Sequence, residues 1–183
     1  MCSRIFFHRT PSPVGRLLLV SDGTALVGLY TPGDDESRHV PSDGIDDPSP
    51  FREVSAQLDR YFAGELRDFD VPLRLGGTSF QRSVWSELVA IPYGTTIAYR
   101  ELAARIGSPR AVRAVGAANG RNPVSIIVPC HRVVGANGDL VGYGGGLDCK
   151  RWLLAHERAL APAGARRTLA YGSSAARATA VAK

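Results

Sequence analysis

Residues 99–119 read YRELAARIGSPRAVRAVGAAN, and the way they break decides how the rest of the chain is parsed. Leu102, Ala103 and Ile106 share one helical face, Gly107 interrupts the run, and Ser108-Pro109 offers an N-cap followed by a first-turn proline. The pattern predicts two short helices, about 99–106 and 110–119, joined at a glycine turn as in a helix-turn-helix. The second helix has almost no long polar side chains. Ala114, Gly116 and Ala117 make a smooth face from which Arg113 alone projects. A helix that reads base edges in the major groove needs Arg, Asn, Gln or Lys at several positions. This face instead fits close approach to nucleic acid without sequence readout, and burial through its alanines is the structural alternative.

Working towards the N-terminus, Thr78-Ser79-Phe80-Gln81 is a capping box, and the helix it opens carries Phe80, Val84, Trp85, Leu88 and Val89 on its apolar face. Gly76-Gly77 just before it is the best domain boundary, dividing the chain into 1–77 and 78–160, with 161–183 as an Ala- and Arg-rich tail expected to be disordered. The front part reads as strands at 4–9, Leu17–Ser21 and Leu26–Tyr30, a loop at 33–50 expected to be mobile, and a helix from Phe51 to Gly64. Val71, Leu73 and Leu75 alternate as a strand should. His8 and His39 read as isolated surface histidines. The fold class is therefore α/β or α+β: a small strand-rich unit followed by a mainly helical one.

Composition narrows the function classes. The chain has 183 residues and a net charge of +5, but the charge is uneven. Residues 1–77 sum to −4, residues 78–160 to +5 and the tail to +4, which suggests a polyanionic partner for the back half, nucleic acid first. No apolar run reaches the roughly 18 residues of a membrane span, and the opening residues lack an apolar leader, so the expectation is a cytoplasmic protein. Three widely spaced cysteines, Cys2, Cys130 and Cys149, fit neither a disulfide framework nor a cysteine-rich zinc site.

Residues 122–133, NPVSIIVPCHRV, hold the candidate chemistry. An apolar run buries the approach, proline fixes the backbone, and Cys130 sits beside His131. A cysteine becomes nucleophilic where a basic partner and fixed dipoles favour the thiolate. Adjacent side chains diverge in a helix or a strand, so His131 reaches the thiol through a water or a local bend. A structural cysteine beside an incidental histidine is the competing reading.

Pro129-Cys130-His131-Arg132-Val133 resembles the active-site motif of the O6-alkylguanine-DNA alkyltransferases, also called methylated-DNA–protein-cysteine methyltransferases. The resemblance runs from Thr78 to Glu157 and takes in Phe80-Gln81, Val84-Trp85, 91–96, Tyr99, 113–116, Asn122-Pro123, 143–146, Lys150, Leu153-Leu154 and Glu157. It implies a ribonuclease-H-like N-terminal domain and a winged-helix-type DNA-binding domain. It also implies that an O6-alkylated guanine is flipped out of double-stranded DNA and its alkyl group moved irreversibly to Cys130. His131 would deprotonate the thiol through a water, Glu157 would orient His131, and Asn122 would be the hinge tying the recognition helix to the active-site segment. Arg113 would replace the extruded base, with Ala114, Gly116 and Ala117 against the minor groove and Tyr99 crowding a backbone phosphate. Tyr99, Ser125, Tyr143, Gly144 and the carbonyls of Cys130 and Val133 would line the guanine pocket.

No cofactor or metal is called for, and the expected form is a monomer on DNA, with cooperative assembly left open. Ser125 stands where some relatives have a second proline, which bears on the alkyl groups admitted. The rival readings are a non-catalytic sensor of alkylated bases on the same scaffold, a sequence-specific regulator and a Cys-His hydrolase. Cys130 argues against the first, the bare recognition helix against the second, and the lack of a visible oxyanion hole against the third.

Overall fold

The computed structural model describes residues 4–33 and 36–160, so the expectations for Cys2 and for the tail at 161–183 lie outside the described residues. Strands β1 (Phe6–Thr10), β2 (Leu17–Ser21) and β3 (Leu26–Tyr30) form an antiparallel meander, β2 and β3 where the sequence puts them. Leu17 and Leu19 of β2 and Leu26 and Leu29 of β3 share a core with Val54, Leu58 and Tyr61 of helix α1 (Arg52–Phe62).

Two expectations for the front half are corrected. The loop at 33–50 is not wholly irregular: β4 (Ile45–Asp46) pairs parallel with the free edge of β1, giving the order β3-β2-β1-β4. The Ile45 amide donates to the Ile5 carbonyl at 2.9 Å, so an unpaired strand edge recruits the loop. Residues 71–75 make a single bridge, Leu26 to Leu73, instead of a strand, because Pro72 between them has no amide to donate. The rings of His8 and His39 stack on Phe51 and Tyr30 at centroid distances of 6.3 and 3.5 Å.

The back half is helical. The capping box forms as read, the Gln81 amide donating to Thr78 Oγ1 at 3.2 Å and the Thr78 amide to Gln81 Oε1 at 2.9 Å, and it starts α2 (Ser79–Val89). After a two-residue strand β5 (Ile97–Ala98) come α3 (Tyr99–Arg105) and α4 (Val112–Gly120), separated by Gly107 at φ +70°. Helix α4 begins two residues later than the Ser108-Pro109 signal suggests. The Ser108 amide closes α3 on the Ala103 carbonyl, and a further turn from Ser108 to Ala111 intervenes. Val115, Ala118 and Asn119 face inward while Arg113, Ala114 and Ala117 lie exposed, so α4 is buried on one face and bare on the other. Trp85 seals the inner face, its indole donating to the Ala118 carbonyl at 2.9 Å. Strand β6 (Val133–Val134) pairs parallel with β5, and α5 (Gly146–Leu160) ends the described chain. No helix among the described residues is long and apolar enough to cross a membrane.

The two halves share a seam. The Leu29 amide donates to the Pro123 carbonyl and the Ser125 amide to the Leu29 carbonyl, at 2.9 and 2.8 Å. The segment leading to Cys130 thereby docks on β3 as a further short rung.

Candidate active site

Residues 122–129 form a pinned arch. Asn122 Nδ2 donates to the Val128 carbonyl at 2.7 Å, and Asn122 Oδ1 accepts from the Val124 amide at 3.1 Å. Ile126 sits at φ +71°, a left-handed conformation that a β-branched residue adopts only when its surroundings force it. The arch ends in a 3-10 turn, Cys130–Arg132. Three residues per turn send successive side chains about 120° apart, so Cys130 and His131 diverge as the sequence argument requires.

Cys130 is 6% exposed and His131 fully buried. Burial pushes the Cys130 thiol above its ordinary value, while Asn122, the charge of Lys150 and the Ser125 hydroxyl act the other way. Burial also lowers the proton affinity of His131, against the opposing pull of Glu157. The resting pair is therefore a neutral thiol and a neutral imidazole. The ammonium of Lys150, itself fully buried, donates to the Val133 and Val141 carbonyls at 2.7 and 2.9 Å, clamping β6 to the segment before α5.

Glu157 of α5, which would be a solvated charge on most helices, is fully buried and is the hub of the site. His131 Nε2 donates to Oε1 at 2.9 Å, and Arg132 grips both oxygens through Nε and Nη2 at 2.9 Å each. The Tyr61 hydroxyl also donates to Oε1 at 2.9 Å, and the Gly94 amide to Oε2 at 3.2 Å. Burial alone would raise the carboxyl's pKa, but the hydrogen bonds of His131 and Arg132 and the guanidinium charge prevail and hold it well below the usual carboxylate range. With Nε2 given to Glu157, His131 Nδ1 is left as a buried nitrogen with no partner among the described residues.

These shifts carry a stability signature. A histidine kept neutral in the fold binds fewer protons than in the unfolded chain, so stability should fall as pH drops below about 6.5. The carboxylate of Glu157 adds a further loss below about pH 4.3, again because the unfolded chain takes up the proton first. Melting temperature measured against pH should show both, and His131→Gln should flatten the upper window.

Cys130 opens on a cavity of about 360 Å³ lined also by Asn119, Asn122, Ser125, Tyr143 and Gly144, with Tyr30, Arg38 and His39 contributed by the front half. Ser125, Tyr143 and Gly144 thus lie on the wall of one cavity. Tyr99, expected in the pocket, is not among the residues that line it; its hydroxyl accepts from Asn119 Nδ2 at 3.4 Å, and its ring lies beside Gly116. The Val133 carbonyl is engaged by Lys150. Arg113 stands apart on the exposed face of α4. Thr31 of the front half sits so close to Gly145 that a Cβ there would overlap it, which fixes the segment after Tyr143 against β3. Gly145→Ala should therefore cost about 1–3 kcal/mol and displace that segment, seen as a lower melting temperature and slower reaction of Cys130.

Sequence reasoning missed Tyr61, the clamp role of Arg132 and the contributions of Arg38 and His39. Arg132 had a signal, a charge inside an apolar run, whereas Tyr61 reads as one more apolar position on α1.

A buried thiol on a pocket wall, beside a histidine oriented by a carboxylate, on a helical unit with a bare recognition helix: these features define a nucleophilic-cysteine group-transfer site next to a nucleic-acid-binding surface. Residues 5–75 match the ribonuclease-like domain, and residues 79–159 the DNA-binding domain, of 6-O-methylguanine DNA methyltransferase. The chain belongs to this family. It is 50% identical over 150 residues to the methylated-DNA–protein-cysteine methyltransferase of Methanosarcina mazei, covering 82% of this chain and 95% of that one. The namesake from Mycobacterium bovis is 50% identical over 161 residues, covering 87% and 96%. A Mycobacterium tuberculosis relative solved in complex with DNA superposes with a TM-score of 0.79 at 50% identity, covering 86% of this chain and 96% of that one.

Proposed function

We propose that this protein repairs O6-alkylguanine in double-stranded DNA by moving the alkyl group to Cys130, once per molecule. The observation that carries the reading is Cys130 on the pocket wall with its neighbour His131 held by Glu157. The lesion must leave the base stack to reach a thiol this buried. His131 Nδ1 takes the thiol proton through a water, and Glu157 stabilises the imidazolium that results. The thiolate attacks the alkyl carbon, an S–C bond forms, the C–O6 bond breaks, and its electron pair leaves with guanine, which regains a proton. The thioether has no route back, so turnover stops at one equivalent.

The remaining assignments follow the surface. Asn122 holds the arch, and Ser125, Val133, Tyr143 and Gly144 enclose the base. Arg113 fills the gap left in the duplex, with Tyr99, Ala114, Gly116 and Ala117 along the groove. The reactive unit is 78–160, and we take it to act as a monomer on DNA in the cytoplasm. The thiol disfavours a non-catalytic lesion sensor.

Incubation with an O6-methylguanine duplex and mass analysis of the tryptic peptide should find one methyl on Cys130. Repeated turnover, or an unmodified Cys130, would overturn the proposal. Arg113→Ala should slow repair in duplex by about 10-fold or more while sparing reaction with free O6-alkylguanine base. Equal losses on the two substrates would count against a role in base extrusion.

A further inference from the structure

Tyr61 belongs to α1, in the half of the chain to which the proposed reaction assigns no chemistry, yet its hydroxyl reaches the hub of the site. Its ring is fully buried, boxed by Phe69, Tyr93 and His156. Oε1 of Glu157 accepts from three donors at 2.9 Å: His131 Nε2, Arg132 Nη2 and the Tyr61 hydroxyl. Three donors on one oxygen divide its charge, so each bond is weaker than it would be alone. Arg132 and the Gly94 amide hold the carboxylate in place without help from Tyr61. The Tyr61 hydroxyl is therefore free to act on charge more than on position.

We propose that Tyr61 is a positioning residue that tunes the reactive centre from the N-terminal half, drawing charge from Glu157 Oε1 and so setting how readily His131 accepts the Cys130 proton. This rests on the alkyl-transfer reading above. Among the described residues, the groups around the pair and Tyr61 are Tyr93 and the Gly94 amide before β5, Arg132 beside His131, and Lys150 and His156 from α5. Burial and the charge of Glu157 push the Tyr61 phenol far above its ordinary range, so it remains a donor throughout.

The direction is fixed. Without the phenol proton, Glu157 gives more of its charge to His131, whose proton affinity rises. In Tyr61→Phe the acid limb of the single-turnover rate of methyl transfer from an O6-methylguanine duplex should move to higher pH, by roughly half to one unit. With 3-fluorotyrosine at position 61, a stronger donor of nearly the same shape, the limb should move to lower pH. The fluorinated protein keeps the packing intact should the phenylalanine variant fail to fold.

Opposite displacements in the two proteins, or a downward displacement in the fluorinated one alone, support the proposal. Acid limbs that coincide with the wild type, whatever the melting temperature does, overturn it and leave Tyr61 a packing residue. Movement in the reverse sense overturns it too. A wild-type protein that leaves Cys130 unmethylated sinks the alkyl-transfer reading itself and is distinguishable, because no rate profile then exists to shift.

Discussion

Cys130→Ser should abolish methyl uptake while leaving the fold and the affinity for alkylated duplex in place. The substitution changes one buried atom, and the pinned arch of residues 122–129 does not depend on it. The chemistry does depend on it. A serine hydroxyl is a much weaker acid and a poorer nucleophile towards saturated carbon, and the neighbouring imidazole is already depressed by burial. A fall of roughly four orders of magnitude or more is expected, read as loss of the methylated peptide with an unchanged melting curve and gel shift. Cys149 will not take over. Burial raises its thiol to about 11, and nothing corresponding to the His131–Glu157 pair is hydrogen-bonded to it. Methyl appearing in this variant on Cys149, or on any other side chain, at the wild-type rate would contradict the assignment.

Glu157→Ala should be the most damaging substitution for stability. Among the described residues, it leaves the buried guanidinium of Arg132 with the Ile91 carbonyl, at 2.6 Å, and the Tyr93 ring, 5.6 Å from its centroid. It also strips the partners from His131, Tyr61 and the Gly94 amide. Removing one member of a buried ion pair costs about 3–5 kcal/mol, which for a chain of this size lowers the melting temperature by roughly 6–20 °C. Glu157→Gln keeps the shape but not the charge, so it should fold better and still transfer methyl about 100-fold more slowly or worse. A Glu157→Ala protein that melts within a degree of the wild type would show that the cluster does not bear this weight.

Much of this was legible in the residues. Periodicity located β2, β3, α1 and α2, and the capping box set the start of α2 to the residue. The motif around Cys130 identified the thiol, and the resemblance extending to α5 pointed to Glu157. What the residues hid were pairings that depend on another part of the chain. β4 exists because β1 had an open edge, and residues 71–75 fail as a strand because Pro72 interrupts the ladder. Tyr61 sits at an apolar helical position, and only the fold shows that its single polar atom meets a carboxylate on α5. Local patterns carry helix faces and turns, but not which buried hydroxyl meets which buried charge.

The rung between β3 and residues 123–125 bears on how the molecule comes apart. Gly76-Gly77 divides the chain on paper, yet the backbone ladder of the front half runs on into the arch that presents the thiol. Cooperative units of unfolding follow shared hydrogen bonds and buried contacts, not sequence boundaries. Loosening the meander removes a rung from the arch and, through α1, a donor from the carboxylate behind it. The front half thereby bears on how long an unspent molecule keeps its thiol ready for a lesion it meets only once.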